Sequence, residues 1–498
     1  MRTTQMNYTI KIVRQASFVI YAMLIVVMAL ATFFENFHGT EAAQECFYSS
    51  WWFSGLWIAA FASSVLCIHK HFRWIGRLFR HKPKGYPKTK GAAGVFILSC
   101  FLAIPSIALA SEIRTVARTQ ADSMKRAQVA YNGRTCPLNT TARDFVLKLT
   151  GKTSFGNLTA EQVLLSWSLY PEDWKDVNMI KVKNVEVRRK LGIKSNMACF
   201  ADFFDSEGKY RLKEGKHLDI EDKLTTVILL TQGRLFTPIT SDSHRVPSAK
   251  IEAEIWYNAI PWQPVLFSSC FFLALIIFAL SYRIDIDLHR YWRLLSMIKA
   301  SLAALLFVSL IIRWYISGHI PLTSTYETLQ AIALAALIIS CALPSYSIAA
   351  LLVAGSTLMV SHLCSLNPHI TSIMPALDSP WLSSHVTTIM LSYCLFALLT
   401  FRPNRRMLVA AELLLGAGII LGGIWAKTAW GAFWQWDPKE TWALITFLVY
   451  MYPLHKVSIP WFANPKHTAA YLRIAFLTVL MTYFGCNYVL SGLHSYAG

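Results

Sequence analysis

Five tryptophans, Trp425, Trp430, Trp434, Trp436 and Trp442, fall with Phe433 inside eighteen consecutive residues. Indole is stable at a membrane surface, and one or two per apolar segment make an ordinary aromatic belt. This run is denser than a belt needs. A flat apolar macrocycle such as a porphyrin requires a broad aromatic wall, and a haem iron requires axial donors, most often a neutral histidine nitrogen. His385 and His494 each stand near the end of an apolar segment and are the candidates for those donors. A lone histidine at a helix end is usually a solvated or hydrogen-bonded side chain. Two of them flanking an aromatic run make an axial pair the sharper reading.

His455 lies about 26 Å along a helix begun at Pro438, near the far end of an apolar segment. An ionisable group at that depth is a functional candidate and could ligate haem arriving from the cytoplasmic side. The plainer alternative is that it marks the interface beside Lys456. His319, His362, His369, His69 and His71 are weaker candidates, in loops or at segment ends.

The elements that must hold these residues follow from composition. The chain has 498 residues, of which 54% are hydrophobic and 15% charged, whereas soluble domains are about a quarter charged. Crossing a hydrocarbon core takes about 20 apolar residues. Eleven runs approach that length, near 16–34, 51–68, 93–110, 262–282, 296–313, 328–343, 346–363, 383–401, 407–424, 438–455 and 469–490. The formal charge of +19 is concentrated in particular loops, so it orients a membrane chain rather than marking a nucleic-acid surface. Lys70, Arg73, Arg77, Arg80, Lys82, Lys84, Lys88 and Lys90 follow the second run, and Arg402, Arg405 and Arg406 follow the eighth. Such clusters mark the cytoplasmic side. Glu35, Glu41 and Glu45, with no basic residue among them, suit the outer side. The N-terminus is then inside, while residues 111–258, the tryptophan-rich segment and the C-terminus are outside. Ala29-Leu30-Ala31 also has the small-residue spacing of a signal-peptidase site.

Residues 111–258 form the one sizeable polar block, enough for a single small domain. It reads as mainly helical, with a capping box at Thr159-Ala-Glu-Gln162 and a β-rich stretch, Leu224 to Leu230, suggesting a strand. The ten cysteines include no CxxC pair and no CxxCH haem-attachment site. Cys136 and Cys199 in the polar block are either a disulfide or two free thiols. Around the tryptophans, Asp437-Pro438-Lys439-Glu440 reads as an aspartate N-cap, a proline at the first helical position and a glutamate three residues on. Ser324 with Glu327, and Ser379 with Pro380, open two other helices by the same logic. Three residue-rich outer loops, at 318–327, 375–381 and 430–442, fall on one side in this topology.

These residues carry a resemblance. Trp430-Gly-x-x-Trp-x-Trp-Asp-Pro-Lys-Glu-Thr-Trp442 resembles the WWD signature of haem-handling proteins, in the form found in the CcsA (ResC) branch. Ser379-Pro-Trp-Leu-x-x-His385, Gly318-His-Ile-Pro-x-x-x-x-Tyr-Glu327 and Phe484-Gly-x-Asn-x-x-x-x-Gly-Leu-His-Ser-Tyr496 are similar to other stretches of that family. Ala31-Thr-Phe-Phe-Glu-Asn-Phe-His-Gly-Thr40 and Trp51-Trp-Phe53 resemble the start of the ResB (CcsB) partner. Together they imply a fused, CcsBA-type cytochrome c synthase of the System II pathway.

The resemblance implies an all-α polytopic membrane protein of about eleven transmembrane helices with a mainly helical periplasmic domain. The implied order is a CcsB-like three-span region at 1–110, the periplasmic domain at 111–258, a linking helix at 259–294 and a CcsA-like haem-handling domain at 295–498. The implied location is a bacterial cytoplasmic membrane, in contact with lipid. Haem b would be both bound ligand and substrate, moved from a transmembrane site to the WWD site and joined there to CxxCH cysteines of an apocytochrome c. Thiol-reducing proteins would be further partners.

By the same carry-over His385 and His494 match the outer axial pair, and His455 matches the transmembrane histidine of the CcsA half. Trp425, Trp430, Trp434, Trp436 and Trp442, with Asp437, would line the outer site. The CcsB half would contribute a histidine from its third span, where Ile97 stands instead. Two other readings compete: a haem exporter without attachment activity, closer to the CcmC type, and a haem-bearing electron-transfer subunit, which would pair histidines within spans.

Overall fold

The computed structural model describes residues 2–78, 113–205, 207–212, 218–241, 244–282, 288–363, 368–370, 372 and 377–490. Ile97 and His494 lie outside them. Two compact units divide the chain, Met1–Pro105 with Ser379–Gly498, and Ser106–Asp378. Eight described helices are long and apolar enough to cross a membrane: Ala16–His38, Trp262–Ser281, Tyr291–Ser317, Thr325–Ala342, Pro344–Leu363, Pro380–Phe401, Arg405–Trp430 and Pro465–Tyr488. They coincide with eight of the eleven expected runs. Of the other three, 93–110 lies outside the described residues, 51–68 falls in the helix Trp51–Leu78, and 438–455 is a shorter α-helix, Pro438–Met451.

In the first unit, proline opens three helices. Pro380, Pro438 and Pro465 each occupy a first-turn position, where a missing N–H costs nothing. Asp437 and Asn464 cap the second and third by accepting from the amides of Lys439 and Lys466, whereas the Ser379 side chain makes no capping bond. Gly431, at φ 82°, ends Arg405–Trp430 in the left-handed conformation that glycine adopts without Cβ strain. Pro453 lies just past the end of Pro438–Met451, and the chain runs on as a 3-10 turn through Tyr452–His455. His455 is therefore beyond the α-helix expected to carry it.

Pro380–Phe401 and Arg405–Trp430 form an antiparallel pair with close backbones. Ser392 Oγ donates to the Ala411 carbonyl at 2.9 Å. A Cβ added at Gly418 would lie 2.5 Å from Ile389 Cδ1, so any larger residue there would force the Ile389 side chain to move. Gly418 and Gly422 are four residues apart on one face, the small-xxx-small pattern of close helix packing in membranes. The first helix of the chain packs on Pro438–Met451: Tyr452 Oη donates to the Phe18 carbonyl at 2.7 Å, and Trp442 Nε1 donates to Thr32 Oγ1 at 3.1 Å.

The second unit begins with the polar domain. Its core gathers Phe145, Val163, Leu164, Trp167, Trp174 and Phe203, all essentially inaccessible. Leu224 to Leu230 is helical, within Leu218–Thr231, and not a strand. Ile220, Leu224, Val227 and Leu230 are its buried apolar residues, and their spacing of three and four is a helical period that overrides β-propensity. The strands lie elsewhere. Gln128–Tyr131 and Arg134–Pro137 form an antiparallel hairpin, joined by Asn132 and Gly133 at φ 46° and 76°, and Thr237–Pro238 adds a third strand. Ile180–Lys181 and Met197–Ala198 make a second small sheet. Cys136 and Cys199 are separate free thiols.

Apolar helices complete this unit, and a buried ion pair ties two of them together. Arg313 Nη2 donates to Glu327 Oε1 at 2.8 Å, with side chains 1% and 4% exposed. Glu327 also closes the expected capping box with Ser324. Arg313 Nη1 reaches the Pro368 carbonyl at 2.6 Å, which anchors the loop after Ser347–Leu363.

Candidate functional site

His385 sits in the second turn of Pro380–Phe401, half-buried, with Nδ1 2.7 Å from the Gly418 carbonyl oxygen. A carbonyl only accepts, so Nδ1 carries the proton, and in the neutral ring the lone pair lies on Nε2. Metal-binding imidazoles are commonly set this way, one nitrogen held by a carbonyl and the other presented to the metal. Gly422 is what the ring rests against. A Cβ there would fall 2.7 Å from Cε1 and 2.8 Å from Nδ1.

Trp425 lies one turn further along the same helix, almost fully buried, and meets Trp430 edge to face with centroids 6.1 Å apart. Trp430 and Phe433 hold accessible aromatic surface, at 38% and 60% exposure. Trp434 packs edge to face on Trp436 at 5.5 Å, and its Nε1 is a buried donor without a partner among the described residues.

Two of the five tryptophans have partners within the protein that sequence reasoning missed. Trp436 lies parallel to Tyr48, centroids 5.0 Å apart, and meets Phe53 edge to face at 5.2 Å. Trp442, besides its bond to Thr32, abuts Phe33 at 6.4 Å. These contacts dock the N-terminal helices on the tryptophan segment. The wall therefore divides: Trp425 and Trp430 belong to Arg405–Trp430, the neighbouring helix whose Gly418 carbonyl meets His385, while Trp436 and Trp442 face the N-terminal region.

Asp437 is 5% exposed and caps Pro438–Met451 through the Lys439 amide at 3.3 Å. Glu440 does not close a capping box on Asp437; its Oε2 accepts from the Gln435 amide at 2.9 Å and so folds the preceding loop back on the helix. Lys439 Nζ donates to Asn487 Oδ1 at 2.6 Å, tying the segment to the last described turn before His494.

His455 is exposed, its Nδ1 2.9 Å from the Met451 carbonyl and its ring 5.4 Å from Phe18. It shares with His385 the carbonyl-held Nδ1, but it stands at the opposite end of the unit, separated by roughly 20 Å of helix. Of the weaker candidates, His369 is a buried side chain 3.8 Å from Asp144 Oδ1, and burial lowers its pKa. No cluster of three or more His, Cys, Asp or Glu able to hold a bare metal ion occurs among the described residues. A macrocycle that supplies its own equatorial nitrogens needs only axial donors, and the chemistry of His385 fits one of them.

Residues 398–494 match the family described as Cytochrome C assembly protein. A 248-residue stretch is 31% identical to the cytochrome c biogenesis protein CcsA of Prochlorococcus marinus (strain MIT 9515), covering 38% of this chain and 79% of that one. The chain belongs to the CcsA family of cytochrome c assembly proteins. Similarity to CcsA of Chlamydomonas reinhardtii is 30% over 231 residues, 39% of this chain and 65% of that one. Protein NrfI of Wolinella succinogenes is 29% identical over 485 residues, 74% of this chain and 53% of that one. The chain thus spans about half the length of NrfI and most of the shorter CcsA. Membership accords with a multi-pass helical chain and with the tryptophan segment falling inside the matched region.

Proposed function

We propose that this member of the CcsA family binds haem at the Trp425–Trp442 segment on the periplasmic side of a bacterial cytoplasmic membrane and joins it to the CxxCH cysteines of an apocytochrome c. The observation that carries the reading is His385, its Nδ1 on the carbonyl of Gly418, which shares its helix with the Trp425 and Trp430 pair. His385 and His494 hold the iron from its two faces. Accessible aromatic surface on Trp430 and Phe433 packs the macrocycle, while Trp436 and Trp442 bind the segment to the N-terminal helices.

The chemistry demands little from the chain itself. Each thiol of the apocytochrome adds across one vinyl group: a carbon–sulfur bond forms, the vinyl π bond is consumed, and the thiol proton ends on the neighbouring vinyl carbon. Neither partner is oxidised or reduced, so the substrate cysteines must arrive as thiols, the task of a reducing partner. Holding both reactants in register supplies most of the rate. The histidine of CxxCH then displaces one axial ligand and frees the product. His455, at the other end of the unit, receives haem on its way outward, and Ile97 leaves its expected partner histidine absent from that position.

Co-expression with a CxxCH apocytochrome in a host lacking its own maturation genes tests the proposal. Covalent, haem-staining cytochrome is the expected product. Haem that co-purifies with the chain while no covalent cytochrome forms would reduce the function to export or chaperoning.

A further inference from the structure

We infer that Gly422 is a positioning residue for the haem ligand, and that with the Gly418 carbonyl it forms a backbone mount that fixes the direction of His385 Nε2. The inference rests on the reading of His385 as an axial ligand. The Gly418 carbonyl oxygen holds Nδ1 at 2.7 Å, which places the proton on Nδ1 and the lone pair of the neutral ring on Nε2. Gly422, one turn on, meets the ring along the edge that carries both nitrogens: an added Cβ would lie 2.7 Å from Cε1, 2.8 Å from Nδ1 and 3.4 Å from Nε2.

A ring on a flexible side chain could swing aside, but this one is tethered. Moving it from Gly422 breaks the bond to Gly418. One turn earlier the same two helices are again close, since a Cβ added at Gly418 would fall 2.5 Å from Ile389 Cδ1. The stripe Gly418, Gly422, Trp425 repeats at intervals of four and three, so the mount and the buried tryptophan share one face of one helix. The partner of Nδ1 and the Trp425 part of the aromatic wall are consequently set by one helix, as a precise coordination geometry requires.

Gly422→Ala is the direct test, made in the full chain purified from a haem-proficient host. Outer partners of a ligating histidine are worth about ten- to a hundredfold in affinity, so haem retained per protein should fall about tenfold, with a changed Soret band. Added imidazole should restore the band by supplying an untethered donor. Gly416→Ala, which crowds the Phe447 ring at 3.2 Å on the same helix, should retain haem and is the packing control. Wild-type haem content and spectrum in Gly422→Ala would overturn the inference if His385→Ala does lose haem. Retention of haem by His385→Ala would instead overturn the axial reading itself. Should Gly422→Ala fail to accumulate, the His385→Ala/Gly422→Ala double variant decides: accumulation equal to His385→Ala shows that the imidazole is what the methyl group meets, and failure of the double as well refutes it.

Discussion

Tyr48 and Trp436 lie face to face, their ring centroids 5.0 Å apart and their planes 6° from parallel. Trp436 holds this position with φ at 58°, a backbone conformation rare for any residue but glycine. Such strain persists only where the surroundings enforce it, and Tyr48, Phe53 and Trp57 crowd the indole from the N-terminal helices. Region 1–78 thereby shapes a segment some 400 positions away in sequence.

Removing the Tyr48 ring should loosen that segment. Truncating a large buried aromatic costs about 3–5 kcal/mol, so Tyr48→Ala should lower the thermal midpoint and raise the solvent exposure of tryptophan fluorescence. Tyr48→Phe keeps the stacking face and should behave as wild type. Equal fluorescence in Tyr48→Ala and wild type would mean that the stack does not hold Trp436.

The Arg313–Glu327 pair should show the asymmetry of buried ions. Arg313→Met leaves the Glu327 carboxylate without its charge partner and should destabilise the chain by about 3–5 kcal/mol. The Arg313→Met/Glu327→Leu double variant should recover most of that loss, though not the anchor on Pro368. Detergent-solubilised thermal stability reads both.

Acid should weaken the polar domain through His369. Burial lowers its pKa below the ordinary 6.5, despite the opposing pull of Asp144, so the folded ring stays neutral where the unfolded one takes a proton. The contribution is present in full above about pH 6.5 and is lost as pH falls from there toward the folded pKa. Thermal midpoints followed from neutral to mildly acidic pH should decline less steeply in His369→Asn. An unchanged slope would show that other groups carry the acid sensitivity.

Axial ligation has its own test. His385→Ala and His494→Ala should each cut bound haem and covalent attachment, with partial recovery on adding imidazole. His455→Ala should lower delivery to the outer site without imidazole-dependent recovery of ligation there, since the two histidines stand at opposite ends of the unit. Normal haem in both His385→Ala and His494→Ala would remove the axial assignment.

Much of this protein is a consequence of sequence alone. A bilayer core offers backbone groups no hydrogen bonds, so long apolar runs must be helices, and eight expected runs are present as such. Caps are equally local: Asp437, Ser324 with Glu327, and Thr159 with Gln162 act within one turn. The Asn132-Gly133 hairpin was also open to a local reading, because that pair favours the two-residue turn. Leu224 to Leu230 was not, since β-branched composition and helical spacing compete there and the domain core decided between them.

The candidate site divides along the same line. Residue types and motif marked His385, His455 and the tryptophans, but glycine has no side chain to announce a role, and only helix packing set Gly418 and Gly422 against the imidazole. Trp436 and Trp442 likewise read as part of a uniform wall until the fold showed which neighbours each one meets. Periodicity and capping depend on contacts within a turn, whereas the direction of a ligand depends on which helix lies beside it.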